Sequence, residues 1–495
     1  MKSIMVVGTT SHAGKSLVTA ALCRIFARKG WLVAPFKGQN MALNAYVTPS
    51  GGEIGYAQAV QAWAAKINPI VEMNPILLKP QGNMTSQVIL KGKVVGLTNA
   101  KEYYQNYFDR GWQTIQECLS TLAQDFDLLI CEGAGSPAEI NLKYRDLTNM
   151  RVAQYLDATT ILVADIDRGG VFAHIIGTLE LLEPQERSLI KGLVINKFRG
   201  DKSLLDSGIE WLEQRTKIPV LGVIPWFDSL FPAEDSLDLW ENKKTKSNYE
   251  LKITIIRLPH IANFTDFDPL EAEPNILIEY LNPDEYLTDC DAVILPGSKT
   301  TIDDLIVLEK TGMIQQIKDY VASGGTVFGV CGGYQMLGNY IFDPHKLEGE
   351  TNYYLGLNLL PIKTTLNSEK IARQRQVLSL QPRKGLSING YEIHQGNTEI
   401  IHPISTANPV NYLSLFDDPN LGIVDPTQSI WGCYLHGVFD NSSWRRSWLN
   451  ILRQKRGLSS LPTAITDYHQ QREQMLEDVA DLVEKHLDLT PILPN

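Results

Sequence analysis

The residues Gly329-Val330-Cys331-Gly332-Gly333 set a thiol in a turn between an apolar run, Thr326–Val330, and a helix-like segment, Tyr334–Leu337. This is the cysteine form of a nucleophile elbow. Small neighbours permit a strained turn that exposes the sulfur, and the helix N-terminus behind it favours the thiolate. A cysteine that merely packed a core would need none of these glycines. A thiolate also needs a base, and His436, in Gly432-Cys-Tyr-Leu-His-Gly-Val-Phe, follows another strand-like segment. Attack on an amide carbon builds an oxyanion that needs N–H donors. The amide of Gly332 is one; Gly297, in Leu295-Pro-Gly-Ser-Lys, is the expected second, with an ordinary strand-end turn as the alternative. The group that orients His436 stays open: the pair acts as a dyad, or another residue such as Glu392 holds it. His394 reads as structural or substrate-facing.

A second constellation opens the chain. Gly8-Thr-Thr-Ser-His-Ala-Gly14-Lys15-Ser16 follows a strand and begins a helix, the setting of a P-loop. Glycines let the backbone wrap phosphate oxygens, amide groups and the helix N-terminus supply positive potential, and Lys15 reaches the β- and γ-phosphates. Gly8, Thr10, Gly14, Lys15 and Ser16 are therefore the expected ATP contacts, although the loop is one residue longer than the standard spacing. Ser16 would hold Mg²⁺ with Glu132, which ends the strand-like Leu-Leu-Ile-Cys-Glu. Glu53 is a second metal candidate, or else an acid at a helix start. Asn196, before Lys197 at a strand end, reads as a base contact, with adenine favoured because no Asp follows; a plain strand-end polar pair is the alternative. Asp165 and Asp167 lie at the ligand face of the same sheet, or cap a helix.

The elements that must position these groups are α/β. Apolar runs at Ile4–Val7, Leu128–Cys131, Thr160–Ala164, Gly192–Ile195 and Val220–Ile224 alternate with helical patterns at Leu17–Arg28, Tyr56–Lys66 and Tyr103–Ala123. Strands without polar alternation, separated by helices, predict a parallel sheet. Residues 228–250 break the pattern and read as a linker between residues 1–227, the ATP-dependent unit, and 251–495, the amide-hydrolysing unit. In the second unit Lys252–Arg257, Ala292–Pro296 and Thr326–Val330 read as strands, and a helix closes the chain over Tyr468–His486. With 495 residues two or three domains are expected. A net charge of −11 without a basic block gives no footprint for nucleic acid, and no run approaches the ~20 apolar residues of a membrane span. Six cysteines without a C-x-x-C pair point away from zinc and disulfides and toward a reducing cytoplasm. A homo-oligomer is compatible with all of this.

The extended phosphate loop resembles that of dethiobiotin synthetase-like enzymes; partition-type ATPases carry a lysine where Thr10 stands. The order Cys then His resembles class I glutamine amidotransferases, many of which place Glu two residues after the His, where this chain has Val438. Taken together, the chain resembles the cobyric acid synthases of cobalamin biosynthesis over essentially its whole length. The likeness rests on Phe-Lys-Gly-Gln-Asn-Met-Ala-Leu-Asn (36–44), Glu-Gly-Ala-Gly-Ser-Pro-Ala-Glu-Ile-Asn-Leu (132–142), Ala-Asp-Ile-Asp-Arg-Gly-Gly-Val-Phe-Ala (164–173), Asn-Phe-Thr-Asp-Phe-Asp-Pro-Leu (263–270) and Leu-Pro-Gly-Ser-Lys-Thr-Thr (295–301). It departs at His12, where the family has an acidic residue. The resemblance implies glutamine, ATP and a corrinoid as substrates: amidation of adenosylcobyrinic acid a,c-diamide at its b, d, e and g carboxylates through acyl phosphates. It also implies that Lys37 holds phosphate or a substrate carboxylate, unless it is an exposed salt-bridging lysine. Rival readings are cobyrinic acid a,c-diamide synthase and a non-catalytic P-loop scaffold, which the intact Cys331 turn and His436 oppose.

Overall fold

The apolar runs of the first half are parallel strands, as their lack of alternation predicts. In this computed structural model, which describes residues 1–82, 84–227, 231–232, 246–401 and 412–493, six strands form one sheet. Their order is Val220–Pro225, Ile190–Phe198, Thr159–Asp165, Lys2–Gly8, Leu128–Glu132 and Val33–Phe36. All neighbours run parallel, so Gly8, Glu132, Asp165 and Asn196 gather at one edge. Apolar clusters cover both faces. The predicted Tyr103–Ala123 helix is two helices, Ala100–Asn106 and Phe108–Asp125, with Tyr107 between them.

Between Val33–Phe36 and Leu128–Glu132 the chain adds a four-stranded sheet of Gln39–Met41, Ile76–Gln81, Thr85–Leu90 and Lys93–Asn99, and a hairpin of Ala45–Val47 with Glu53–Gly55. These strands are short, and the sequence reading does not anticipate them.

The second half builds a seven-stranded sheet in the order Ile276–Leu281, Leu251–Ile256, Ala292–Leu295, Val327–Val330, Ile430–Cys433, Gly422–Val424 and Leu413–Ser414. The first five strands are parallel and the last two antiparallel. Cys331 leaves the end of Val327–Val330 and His436 follows Ile430–Cys433, so strand pairing brings the imidazole beside the thiol. A long hairpin, Ile362–Leu378 with Ser387–Ile400, reaches out to the first half. The predicted linker, 228–250, lies mostly outside the described residues.

One boundary needs correction. The closing helix Tyr468–His486 forms where predicted, but it packs on the nucleotide-binding half, not within a 251–495 unit. Its Leu476, Val479, Ala480 and Val483 are buried with Val18, Leu22 and Ile25 of the P-loop helix Lys15–Arg28. Acids beside that apolar stripe pair with Arg24 and Arg28: Glu473 at 2.8 Å and Glu477 at 3.0 Å from the buried Arg24, Asp481 at 2.5 Å from Arg28. Beyond the helix, the Asp488 amide donates to the Leu221 carbonyl at the sheet edge. Leu476→Ala should therefore destabilise the nucleotide-binding half by about 2–5 kcal/mol, the usual cost of a buried leucine. Urea unfolding followed by nucleotide binding reads this out. An unchanged midpoint would show the helix to be an appendage.

Candidate active sites

The phosphate loop is held in the form its sequence requires. Gly14 has φ +97°, and a Cβ there would lie 2.0 Å from Asn196 Nδ2, so only glycine fits. Lys15 Nζ lies over the loop, donating to the carbonyls of Thr10 (3.0 Å) and Gly135 (3.2 Å), while its stem packs on Gly8. Ser16 Oγ donates to Glu132 Oε1 at 2.8 Å, and Lys37 Nζ sits 2.9 Å from the same oxygen. Gln61 donates to the other oxygen. Glu132 and Lys37 are fully buried, so Lys37 is not an exposed surface pair but part of this cluster.

Two expectations change here. Glu53 does not join Ser16 and Glu132. It sits between Lys79 (2.9 Å) and Lys370 (2.5 Å), the latter from the second half, and two ammonium groups leave it no field to attract a metal. Burial opposes its ionisation, yet Lys370 and Lys79 hold its carboxyl low, at about 2. Asn196 does not face outward to read a base; its Nδ2 donates to the Ala13 carbonyl at 2.9 Å and braces the loop. Lys197 turns aside, with φ +61°, to pair with Asp165 at 2.9 Å. Asp167 pairs with Arg199. His12, at φ +59°, also occupies the left-handed region.

In the second half Cys331 adopts φ +50°, ψ −108°, the strained turn expected of a nucleophile elbow. Gly333 is required because a Cβ there would lie 2.0 Å from the Leu295 carbonyl. Gly332 lies against the Ser298 amide, and Gly297 beside His436, so both candidate donors border the thiol.

The candidate base, His436, has an orienting carboxylate after all. His436 Nδ1 is 2.6 Å from Asp266 Oδ2, and the other Asp266 oxygen accepts the Gly437 amide at 2.9 Å. The ring's remaining nitrogen is left for Cys331, which lines the same cavity. Burial alone would lower the His436 pKa; the Asp266 carboxylate outweighs it and, with Cys331, raises it to about 10. Glu392 is not the orienter. It accepts from Arg373 (2.7 Å) and Arg375 (2.8 Å) and contacts His394 Nε2 (3.2 Å). Against its burial, His394 and Arg373 hold it at about 2. His394 itself lines the cavity and stacks on Tyr434.

Known proteins match in the same two parts. The family of CobQ/CobB/MinD/ParA nucleotide binding domains matches residues 4–238, and that of CobB/CobQ-like glutamine amidotransferase domains matches 252–444. A cobyric acid synthase of Nostoc sp. (strain PCC 7120) is 66% identical over 494 residues, covering 100% of both chains. One from Rippkaea orientalis is 65% identical, again over 100% of both. The chain belongs to the cobyric acid synthase family. It is thus an ATP-dependent glutamine amidotransferase, a ligase of cobalamin biosynthesis.

In this cobyric acid synthase family member the two halves meet beside the Asp266–His436 pair. Asn44 Oδ1 accepts the Phe264 amide (2.9 Å), and Asn263 Oδ1 accepts the Ala45 amide (3.1 Å); both asparagines are buried. Tyr391, stacked on His436, donates to the Ala45 carbonyl at 3.2 Å. The segment carrying Asp266 is therefore fastened to the nucleotide-binding half.

Asp266→Asn should keep this packing but remove the charge that holds the imidazolium, lowering glutaminase kcat by on the order of 10²–10⁴-fold. Retained full activity would exclude Asp266 from the triad. Because the folded pKa of His436 lies above its ordinary value of 6.5, the pair stabilises the fold fully below pH 6.5. That contribution is lost as pH rises toward 10. Urea unfolding at the two ends of this window should show wild type losing more stability than Asp266→Asn, by at most about 5 kcal/mol. Equal losses would contradict the assignment.

Proposed function

We propose that this enzyme amidates the b, d, e and g side-chain carboxylates of adenosylcobyrinic acid a,c-diamide, with glutamine as nitrogen donor and an acyl phosphate as activated intermediate. The observation that carries this reading is the joining of a P-loop cluster and a Cys331–His436–Asp266 triad within one chain whose relatives are cobyric acid synthases end to end.

At the triad, the Cys331 thiolate attacks the glutamine amide carbon while His436, as imidazolium, gives its proton to the departing nitrogen. Ammonia leaves and a thioester remains. Water, deprotonated by His436, then cleaves the thioester and releases glutamate. Gly332 and Gly297 amides would hold the oxyanion in both steps. At the P-loop, Lys15 would exchange its two carbonyl partners for β/γ-phosphate oxygens, which stabilises charge as the γ-phosphoryl group passes to a corrin carboxylate. Ammonia displaces the phosphate and forms the amide.

The Ser16 hydroxyl beside the Glu132 carboxylate is a hard oxygen pair that suits Mg²⁺, which needs few protein ligands when phosphates complete its shell. Among the described residues no group of three or more His, Cys, Asp or Glu stands ready to hold a metal unaided. Mg²⁺ held there would neutralise phosphate charge.

Mass spectrometry of adenosylcobyrinic acid a,c-diamide incubated with enzyme, ATP, Mg²⁺ and glutamine should show amidation at all four positions. Two additions to cobyrinic acid instead would point to a,c-diamide synthesis. Cys331→Ala should lose glutamine-supported turnover and keep ammonia-supported amidation, whereas Lys15→Ala should lose both. Glutamine-dependent turnover surviving in Cys331→Ala would refute the nucleophile.

A further inference from the structure

The cavity that holds Cys331 also contains three lysines, Lys79, Lys299 and Lys370. Two of them are occupied: Lys79 and Lys370 both pair with Glu53. Lys299 is different. It is only 9% exposed, yet among the described residues its ammonium has no hydrogen-bond or ion-pair partner. A buried cation left unpaired is costly unless a ligand supplies the anion. Opposite in charge, the half-buried Glu348 lines the same cavity, and one of its oxygens accepts the Ile302 amide at 3.3 Å. Gln335 is committed elsewhere, its amide donating to Tyr434 Oη and the Gln395 carbonyl, both at 3.0 Å.

Glutamine brings to this cavity an amide at one end and, at the other, a carboxylate and an ammonium on a single carbon. With the amide at Cys331, the head group requires one cation and one anion, and Lys299 and Glu348 are the pair that remains. We propose that Lys299 binds the α-carboxylate of glutamine and Glu348 its α-ammonium, so that these two residues select an α-amino acid over other primary amides. Lys299 lies two residues after Gly297, so one loop serves both ends of the substrate. Burial lowers Lys299 to about 8 and raises Glu348 to about 7, each shift opposed in part by the other's charge, so the two stand in the cavity as groups of opposite sign. The proposal rests on glutamine being hydrolysed at Cys331.

The test compares glutamine with two truncated amides: 4-aminobutyramide, which lacks the α-carboxylate, and glutaramic acid, which lacks the α-ammonium. Lys299→Met should lower kcat/KM for glutamine by about 100-fold or more, mainly through KM, yet change turnover of 4-aminobutyramide by less than about threefold. Lys299→Arg should recover part of the loss. Glu348→Gln should discriminate in the same way between glutamine and glutaramic acid. Equal losses on glutamine and the truncated amide, or no loss on glutamine, would overturn the assignment while leaving the glutaminase itself intact. A wild-type enzyme that releases no glutamate from glutamine would overturn the parent reading, and this one with it.

Discussion

Two buried asparagines fasten the segment that carries Asp266 to the nucleotide-binding half. Asn44, on the nucleotide-binding side, accepts the Phe264 amide, and Asn263, on the glutaminase side, accepts the Ala45 amide. Each side chain thereby satisfies a backbone donor of the opposite half at a buried interface, where an unpaired N–H costs about 1–3 kcal/mol. Asn263 takes up a left-handed conformation, φ +54°, to do so. The turn that follows, Phe264–Phe267, presents Asp266 to His436. The orientation of His436, the proposed glutaminase base, therefore depends on contacts made by the other half.

Other contacts reinforce that join. Glu53 is bracketed by a lysine from each half, and Tyr391 lies between His436 and the Ala45 carbonyl. The closing helix returns the end of the chain to the P-loop helix, so the chain crosses between the halves twice. A buried ion pair such as Glu53 with its lysines contributes little net stability, but removing one member leaves a charge uncompensated. Such contacts suit a join that must hold one geometry between two chemistries.

Much of this was legible in the sequence, for physical reasons that also explain what was not. The P-loop and the Cys331 turn are local: glycine spacing and strand–turn–helix context specify them, and Lys15, Ser16, Glu132 and Cys331 lie where those patterns put them. The parallel strands were legible because burial on both faces removes polar alternation. Asp266 was not, because it precedes its histidine by a long stretch of chain and reaches it only through the fold; its one signal was membership of the Asn-Phe-Thr-Asp-Phe-Asp motif. Glu392 has the residue type of an orienting carboxylate, but two arginines claim it. Asn196 and Glu53 have the right residue types for ligand contacts, and only their neighbours show them to be braces. The closing helix was legible as a helix, but an amphipathic stripe does not say which core it covers.

The most direct test of this interdependence is the glutaminase kcat of Asn44→Ala. Asn44 belongs to the nucleotide-binding half and does not line the cavity around Cys331. Loss of its bond to the Phe264 amide should loosen Asp266 and lower kcat by about five- to thirtyfold, in proportion to a lost hydrogen bond of roughly 1–2 kcal/mol. An unchanged kcat, with the protein folded and ATP still bound, would contradict the account.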